Sequence, residues 1–407
     1  MTDPRRRVLV APVTVSPTKP LTPTHLKYLL SLDVLRRATA TFADVTFLYR
    51  HASYHDSQQV AGFWSYLDAR HPGRDYTDAS EEEIGELYAT YHRERTDVPV
   101  VLRPRAGDPH PVSARLLDIW ADHYRTLGMV DPTMGRDGPP LADTDDVLAL
   151  LSDRQLCVDG RGLGAPVYLD ATGAGLPLRV VIGADGRPNY LMPLLRELVP
   201  QLAAHDLVVL AHDVELRTDY RTVAHILTAL GATVARFEVP RVPIGGVTRS
   251  TRYGGWQGYT LDAFAGPLVE EYGLDAFRLG MRLYLIAGLG RTARESFTLG
   301  QLRRWVHRAE RLLDRHPGDP SAPPIDLGAY LAAQADARKY ADPYRVITTL
   351  LRRDVEVPAD ELLHLVTAAP PAAGELSFSP TVPRTSVHRR NITEVGVAPR
   401  GPLTVTT

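Results

Sequence analysis

A proline-rich segment near the start of the chain places a lysine, a hydroxyl and an imidazole close together. Residues 16–27 read Ser-Pro-Thr-Lys-Pro-Leu-Thr-Pro-Thr-His-Leu-Lys. They follow the apolar stretch 7–13, which predicts a buried strand, and they lead into a helical pattern of leucines. Free amide groups and the helix dipole at such a strand-to-helix turn attract anions. Lys19, Thr22 and His25 therefore predict a phosphate- or nucleotide-binding loop.

The scarcity of lysine draws attention to this segment. Arginine accounts for all but three of the 46 basic residues, and the three lysines are Lys19, Lys27 and Lys339. Two of the three lie within the segment, where a charge would face a bound anion. The alternative is an ordinary solvated surface loop that happens to contain them.

A second segment is rich in glycine, arginine and hydroxyl groups. Residues 247–258 read Val-Thr-Arg-Ser-Thr-Arg-Tyr-Gly-Gly-Trp-Gln-Gly. Such a strap can close over phosphates, because a guanidinium group binds two oxygens at once. Considered by itself, this segment could equally be a solvated turn.

Together, and in this order, the two segments resemble the class I aminoacyl-tRNA synthetases, and specifically the catalytic core of the arginyl-tRNA synthetases. Residues 16–27 are similar to the HIGH-motif region, and residues 250–255 are similar to the KMSKS loop. Residues 184–190 (Ala-Asp-Gly-Arg-Pro-Asn-Tyr), 260–262 (Thr-Leu-Asp) and 271–278 (Glu-Tyr-Gly-Leu-Asp-Ala-Phe-Arg) resemble further segments of that core.

The resemblance implies an α/β fold with a doubly wound parallel sheet, the HUP-like Rossmann core of class I synthetases, with an inserted region and a C-terminal helical region. Short apolar runs at 7–13, 45–49, 179–182 and 207–210 also favour strands of a parallel sheet. The predicted parts are a first half of the core at 1–70, an inserted region at 71–175, a second half with the KMSKS-like loop at 176–265, a helical stem-contact-like region at 266–367 and a disordered tail at 368–407.

The resemblance also implies a chemistry. ATP, with Mg²⁺, would lie between the two loops while the carboxylate of an amino acid attacks the α-phosphate and releases pyrophosphate. The transition state gathers negative charge, which fixed donors and the metal stabilise. The catalytic positions are Lys19, Thr22, His25 and Arg252, with Lys19 replacing the missing first lysine of the KMSKS-like loop, where Thr248 stands. The matching ATP-binding positions are Thr24, Lys27, Ser250, Thr251, Gly254 and Gly255.

The positions that would bind the amino acid differ from those of the family. Of the arginine-recognising residues only Tyr190 is kept, while Leu194 and Val214 stand where a carboxylate and a carboxamide are expected. A guanidinium buried without a carboxylate is costly, so we expect a neutral amino acid rather than arginine. The predicted substrate-contacting residues are Ser16, Tyr190, Leu194, His212 and Asp213.

Two alternatives accompany these assignments. His212 and Asp213 either read the substrate side chain or have a structural role. If arginine were preferred after all, its carboxylate partner would be sought first at Asp33 and Asp56. Asp33 falls on the buried side of the first helix, so that it needs a partner in any case.

Departures from the family leave three functions open. Thr22 and Thr24 replace a histidine and a glycine of the HIGH motif, and full tRNA-binding domains are not recognisable. The function we favour is an ATP-dependent ligase that forms an aminoacyl adenylate and passes the acyl group to a small-molecule amine or a tRNA, in a specialised biosynthetic pathway. The second is a truncated arginyl-tRNA synthetase. The third is a catalytically inactive synthetase paralogue that binds amino acid or nucleotide as a regulator.

The composition limits the remaining possibilities. With 44% hydrophobic and 23% charged residues the chain is typical of a globular protein, and no apolar run is long enough for a membrane span or signal peptide, which predicts a cytoplasmic protein. The net charge of −2 gives no general attraction to DNA or membranes. A single cysteine, Cys157, excludes a disulfide framework and is predicted to be a small buried hydrophobe. The sequence predicts no metal-ligating residues and no oligomeric state.

Overall fold

The computed structural model describes residues 5–94, 109–132, 139–248, 250–292, 295–315, 326–335, 338–352 and 359–368. Its strands are β1 (Arg7–Pro12), β2 (Asp44–Phe47), β3 (Cys157–Asp159), β4 (Val167–Leu169), β5 (Arg179–Ile182), β6 (Leu207–Asp213) and β7 (Val234–Val239). Its α-helices are α1 (Pro23–Ala40), α2 (Gln58–Arg70), α3 (Glu81–Glu94), α4 (Pro111–Leu127), α5 (Thr144–Asp153), α6 (Leu191–Leu198), α7 (Arg217–Ala229), α8 (Leu261–Tyr272), α9 (Leu274–Arg282), α10 (Leu299–Arg315), α11 (Leu327–Ala335), α12 (Pro343–Thr349) and α13 (Ala359–Thr367).

A parallel sheet in the order β2-β1-β6-β7 forms the centre of the fold. Successive residues of β1 point to opposite faces, so that Val8 and Val10 belong to one hydrophobic core while Leu9 and Ala11 belong to another. Both faces are therefore covered, as expected for a parallel sheet whose strands are apolar throughout. The α/β fold with a parallel sheet is confirmed.

The position of β1 inside the sheet creates the crevice in which such folds bind ligands. The chain leaves β1 through α1 to reach β2 on one side, while β6 pairs with β1 on the other. Connections that depart to opposite sides leave the carboxyl ends of neighbouring strands open, and ligands of open α/β sheets bind there. Residues 13–22, which we call loop 1, follow β1 at this edge.

One predicted strand lies in a different sheet. Residues 179–182 form β5, which pairs antiparallel with β4 in a separate three-stranded sheet, β3-β4-β5. The preceding strand, β4, is joined to β5 without a crossover α-helix, which allows antiparallel pairing. Cys157 begins β3 and is half-buried rather than buried, with its thiol 3.2 Å from the Ser152 hydroxyl.

Helices α3 and α4 lie within the predicted inserted region, 71–175. Both pack into the core that covers the Val8 face of the sheet, through residues such as Ile84 and Trp120. They therefore lie against the main fold, within reach of loop 1. The proposed domain boundaries at 70, 175, 265 and 367 stay predictions.

The predicted helical region that begins at residue 266 is interrupted. After α9 a π-helical turn, Leu283–Gly288, ends the run, and α10 begins only at Leu299. Between them Phe297 donates its amide to Pro243 and packs against Tyr284, which draws the chain back toward the sheet. Residues 369–407, most of the predicted tail, lie outside the described residues. No helix in the described part of the chain is long and apolar enough to cross a membrane.

Candidate active site

Loop 1 is held in place by side chains from the neighbouring helices. The Ser113 hydroxyl of α4 donates to the Pro17 carbonyl over 2.5 Å. The Leu21 amide donates to the carboxylate of Glu81, the first residue of α3, over 2.7 Å. These bonds fix the loop before any ligand arrives, which lowers the cost of ordering it on binding.

Thr22 and His25 form the start of α1. Thr22 is the N-cap residue, and its amide and hydroxyl lie 3.2 and 3.1 Å from Nδ1 of His25. Because Nδ1 accepts from the amide, the proton of the neutral ring sits on Nε2. Burial and the charges of Lys19 and Arg241 lower the pKa of His25 well below its usual range, against the opposing effect of the Pro20 carbonyl. His25 is therefore a neutral side chain with Nε2–H as its donor.

Lys19 lies in loop 1, half-buried and without a carboxylate bound to it. Among the described residues Nζ makes no hydrogen bond and no ion pair. Burial, Arg241 and Arg252 lower the pKa of Lys19 to about 8, with Asp213 acting in the opposite direction. Three cationic side chains therefore lie within electrostatic reach of each other, and Asp213 offsets their effect on Lys19 in part.

Loop 2, residues 247–258 with position 249 outside the described part, brings Arg252 to this cluster. Thr251–Tyr253 form one turn of 3₁₀-helix, and Arg252 is exposed with Nε 3.1 Å from the Ser250 hydroxyl. Gly254 and Gly255 follow at φ of 71° and 80°, a backbone conformation that favours glycine. The turn thus presents Arg252 beside loop 1 and then reverses the chain.

An indole anchors loop 2 to the rest of the site. Trp256 is 1% exposed, and its Nε1 donates to the Thr251 carbonyl over 3.0 Å. Its ring lies over Gly85 of α3, where an added Cβ would be only 2.2 Å from the indole and 2.9 Å from Pro20 of loop 1. Close approach at a glycine therefore lets Trp256 pack between α3 and loop 1.

Two glutamates of α3 complete this attachment. The Gly258 amide donates to Glu82 over 2.9 Å, and the Gln257 side chain donates to Glu86. Loop 2 is consequently docked on α3.

Arg241, just after β7, is the third cation of the cluster. Its Nη2 lies 3.2 Å from Asp213 at the end of β6, and its Nη1 lies 2.7 Å from Glu215. Asp213 also accepts from the amides of Glu215 and Leu216, which caps the short turn after β6. Asp213 therefore orients Arg241 and has a structural part in the turn as well.

The predicted amino-acid pocket is only partly assembled. The Tyr190 hydroxyl donates to Asp219 of α7, and Arg179 forms an ion pair with the same carboxylate over 2.8 Å. Leu194, in contrast, is 3% exposed and belongs to the hydrophobic core on the Leu9 face. Tyr190 thus has a carboxylate beside it, supplied by Asp219 rather than by position 194.

His212 and Ser16 are both buried. His212 stacks on Tyr220 with ring centroids 4.7 Å apart, and its Nδ1 lies 2.8 Å from the carbonyl of Asp213. Burial lowers its pKa, so that the ring is neutral and its contacts support a structural role. The Ser16 carbonyl accepts the Thr18 amide in the tight turn of loop 1.

Thr24 and Lys27, both predicted to contact ATP, are placed differently. The Thr24 hydroxyl donates to the Val242 carbonyl over 3.3 Å and accepts the Val242 amide over 3.0 Å, which ties α1 to the segment after β7. Lys27 is fully buried and donates to the Gly290 carbonyl over 2.6 Å, and burial lowers its pKa to about 7. The structure therefore directs Lys27 toward the helical region and away from loop 2.

Three residues of the site were missed by sequence reasoning: Arg241, Trp256 and His92. His92 of α3 is half-buried, and its pKa is lowered to about 4 by burial and then by Arg252 and Lys19. Arg241 is one of many arginines, and Trp256 is indistinguishable in the sequence from an ordinary core residue. The Pro-Arg-Val-Pro surroundings of Arg241, directly after a strand, were the one local signal.

Comparison with solved structures identifies proteins with a similar fold. Over 89% of this chain and 79% of the other, the fold matches an arginyl-tRNA synthetase from Thermus thermophilus, with a TM-score of 0.53 and 15% sequence identity. An arginyl-tRNA synthetase from Plasmodium falciparum matches over 90% of this chain and 76% of its own, with a TM-score of 0.45 and 12% identity. No family model and no curated protein sequence matches the chain. The protein therefore has an aminoacyl-tRNA synthetase-like fold.

Proposed function

We propose that the protein binds ATP between loop 1 and loop 2 and activates the carboxylate of an amino acid as an aminoacyl adenylate. The observation that carries this proposal is the convergence of Lys19, Arg241 and Arg252 at the carboxyl ends of β1 and β6. The three cationic side chains repel each other, and a bound polyanion such as a triphosphate would offset that repulsion.

Each side chain has a distinct part in this reaction. As the carboxylate oxygen bonds to the α-phosphorus and the bond to the β-phosphate oxygen breaks, negative charge moves onto the departing pyrophosphate. Lys19 and Arg252 stabilise that charge, and Nε2–H of His25 donates to a phosphate oxygen. Mg²⁺ bound to ATP would neutralise part of the phosphate charge.

The adenylate would then pass its acyl group to an acceptor, either a small-molecule amine or a tRNA. The amine attacks the acyl carbon, AMP leaves, and the amine proton goes to solvent. We favour an acceptor of a specialised biosynthetic pathway, because Leu194 and Val214 replace the polar residues that would bind arginine. A truncated arginyl-tRNA synthetase fits less well, since Leu194 is part of a hydrophobic core instead of facing a guanidinium.

One observation favours a second candidate, a binding protein without ligase activity. Thr24 stands where the family has the glycine against which adenine packs, and its hydroxyl is engaged by both the amide and the carbonyl of Val242. If this bridge persists, adenine has less room, and amino acid or phosphate binding could remain without adenylation.

Amino-acid-dependent exchange of pyrophosphate into ATP tests the proposal. We expect exchange with at least one proteinogenic amino acid, measured with and without tRNA, and its loss in Lys19→Ala. Exchange with no amino acid, together with measurable ATP binding, would support the binding protein. Strong exchange with arginine alone, dependent on tRNA, would support the truncated synthetase.

A further inference from the structure

A buried histidine lies between two carboxylates beneath loop 1. Glu81 begins α3, His123 lies on α4 and Asp262 is the second residue of α8. One potential ligand atom from each lies within 4.8 Å of the others. The three come from separate parts of the chain, which is why the sequence predicted no metal-ligating residues.

Two atoms of this cluster lack the partners that buried polar atoms need. Glu81 and His123 are each 2% exposed. Glu81 Oε1 accepts from the Leu21 amide and the Trp120 indole, but across the described residues Oε2 has no hydrogen-bond partner, and neither does Nδ1 of His123. A buried carboxylate oxygen without a partner is costly, and a bound cation removes that cost.

The spacing of the ligand atoms suits a small tetrahedral ion. His123 Nε2 and Asp262 Oδ1 are 3.1 Å apart. Two ligands with bonds of about 2.0–2.1 Å to a tetrahedral ion are about 3.3 Å apart, so that an ion can replace the shared proton with little movement. Asp262 has a side chain that is 68% exposed, which gives an ion a path from solvent and leaves room for water as a fourth ligand.

The donor set also indicates which ion. One imidazole and two carboxylates, with one open position, match Zn²⁺ sites and related divalent transition metals, whereas Mg²⁺ and Ca²⁺ prefer oxygen ligands alone. We propose that Glu81, His123 and Asp262 bind one Zn²⁺ ion. Through the Glu81 bond to Leu21, the ion would join loop 1 to the start of α8, which follows loop 2.

A second histidine of the same region serves as a matched control. His110 Nε2 lies 3.3 Å from Asp68, so that this pair resembles His123 and Asp262. Its Nδ1, however, accepts the Val112 amide over 3.1 Å. Among the described residues no third His, Cys, Asp or Glu ligand joins His110 and Asp68, so that this pair is expected to bind no ion.

Zn²⁺ titration of chelator-treated protein by calorimetry tests the proposal without ATP. We expect one equivalent to bind to the wild type, with loss of that equivalent in His123→Gln and Glu81→Gln. Asp262→Asn, an exposed change that should fold normally, is expected to weaken binding at least about tenfold, and His110→Gln to leave it unchanged.

A spectroscopic measurement covers the case in which a buried variant does not fold. Co²⁺ added to the wild-type chain should give the intense visible absorption of a tetrahedral site, and Zn²⁺ should displace it. Absence of a bound Zn²⁺ equivalent in the wild type would overturn the proposal. So would equal affinity of the wild type and Asp262→Asn, because the exposed carboxylate would then be no ligand.

Discussion

Arg282 donates from Nη2 to Oδ2 of Asp33 over 2.7 Å, and both side chains are almost completely withdrawn from water, at 0% and 4% exposure. The pair joins α9 to α1. Arg37 lies 3.1 Å from the other carboxylate oxygen, and the Val130 amide donates to it. Although burial opposes ionisation, Arg37 and Arg282 lower the pKa of Asp33. Asp33 is thus a structural carboxylate and unavailable to a substrate.

Removing this charge should destabilise the protein strongly. Asp33→Asn leaves Arg282 buried without its counter-charge, and we expect a loss of about 3–5 kcal/mol in the free energy of unfolding, measured by urea denaturation. Glu271→Gln, which breaks the exposed pair with Arg303, should change the free energy of unfolding far less, because water and salt screen an exposed pair. Equal losses of unfolding free energy in the two variants would show that burial does not make the Asp33 pair more stabilising than an exposed pair.

The position of Asp33 illustrates what could be predicted from the sequence. Its place on the apolar side of a helical pattern predicted a buried carboxylate that needs a partner, and this is confirmed. The partner is 249 positions away, and no local pattern connects them. Periodicity reports which face of an element is buried, whereas the contact across two elements depends on how they pack.

In the candidate site, too, local sequence patterns identify some residues, whereas others depend on how elements pack. Loop 1 and loop 2 could be identified because their proline, glycine and charge patterns are local. Trp256 and Arg241 could not, since their roles depend on the approach of α3 and on the end of β7. Lys27 differs from both: the resemblance implied an ATP contact there, whereas α1 carries its side chain into the fold, where it donates to the Gly290 carbonyl.

Lys19 should contribute directly to nucleotide affinity. A hydrogen bond to a charged group is worth about 1.5–3 kcal/mol, so that Lys19→Ala should raise the Kd for ATP about 10- to 100-fold, and Lys19→Ala/His25→Ala should raise it further. Calorimetric titration with a non-hydrolysable ATP analogue measures this. Lys339→Ala, which changes the exposed lysine before Tyr340, is the control. An unchanged Kd in the double variant would count decisively against the loop 1 site.

The same lysine should make ATP binding depend on pH. In the free protein the pKa of Lys19 is lowered to about 8 by burial, Arg241 and Arg252. A triphosphate favours the ammonium form and raises this pKa, so that binding takes up protons at pH values around and above 8, and affinity falls as the pH rises through this range. Calorimetry in two buffers of different ionisation enthalpy measures the uptake. Uptake that persists in Lys19→Ala would assign it to another group.

The docking of loop 2 can be tested at Gly85. In Gly85→Ala the new Cβ would lie 2.2 Å from the Trp256 ring and 2.9 Å from Pro20, so that the indole must leave its place. We expect a red-shifted tryptophan emission, faster proteolysis of loop 2 and weaker ATP binding. Gly300→Ala, where no atom lies within 4 Å of the added carbon, should change none of these. A Gly85 variant with wild-type emission and affinity would mean that the indole contact does not hold loop 2.

The last prediction concerns the amino acid that is activated. A guanidinium needs a free carboxylate, but the acidic groups beside Tyr190 are already paired, Asp219 with Arg179 and Asp213 with Arg241. Releasing one of them would cost the ion pair as well as the desolvation of a new cation, so that a neutral side chain is favoured. We expect pyrophosphate exchange at least about tenfold faster with the best neutral amino acid than with arginine.

A substitution at Arg179 tests whether its ion pair with Asp219 keeps a basic amino acid out. Arg179→Met frees Asp219 and should shift the preference toward basic amino acids, whereas Arg217→Met, which removes an exposed partner of Glu238, should not. Asp56 offers no alternative carboxylate, because Arg196 binds it over 2.7 Å. If the wild type preferred arginine over leucine, methionine and tyrosine, the substrate side chain would have to lie away from Tyr190, since Asp219 and Asp213 are each already paired with an arginine.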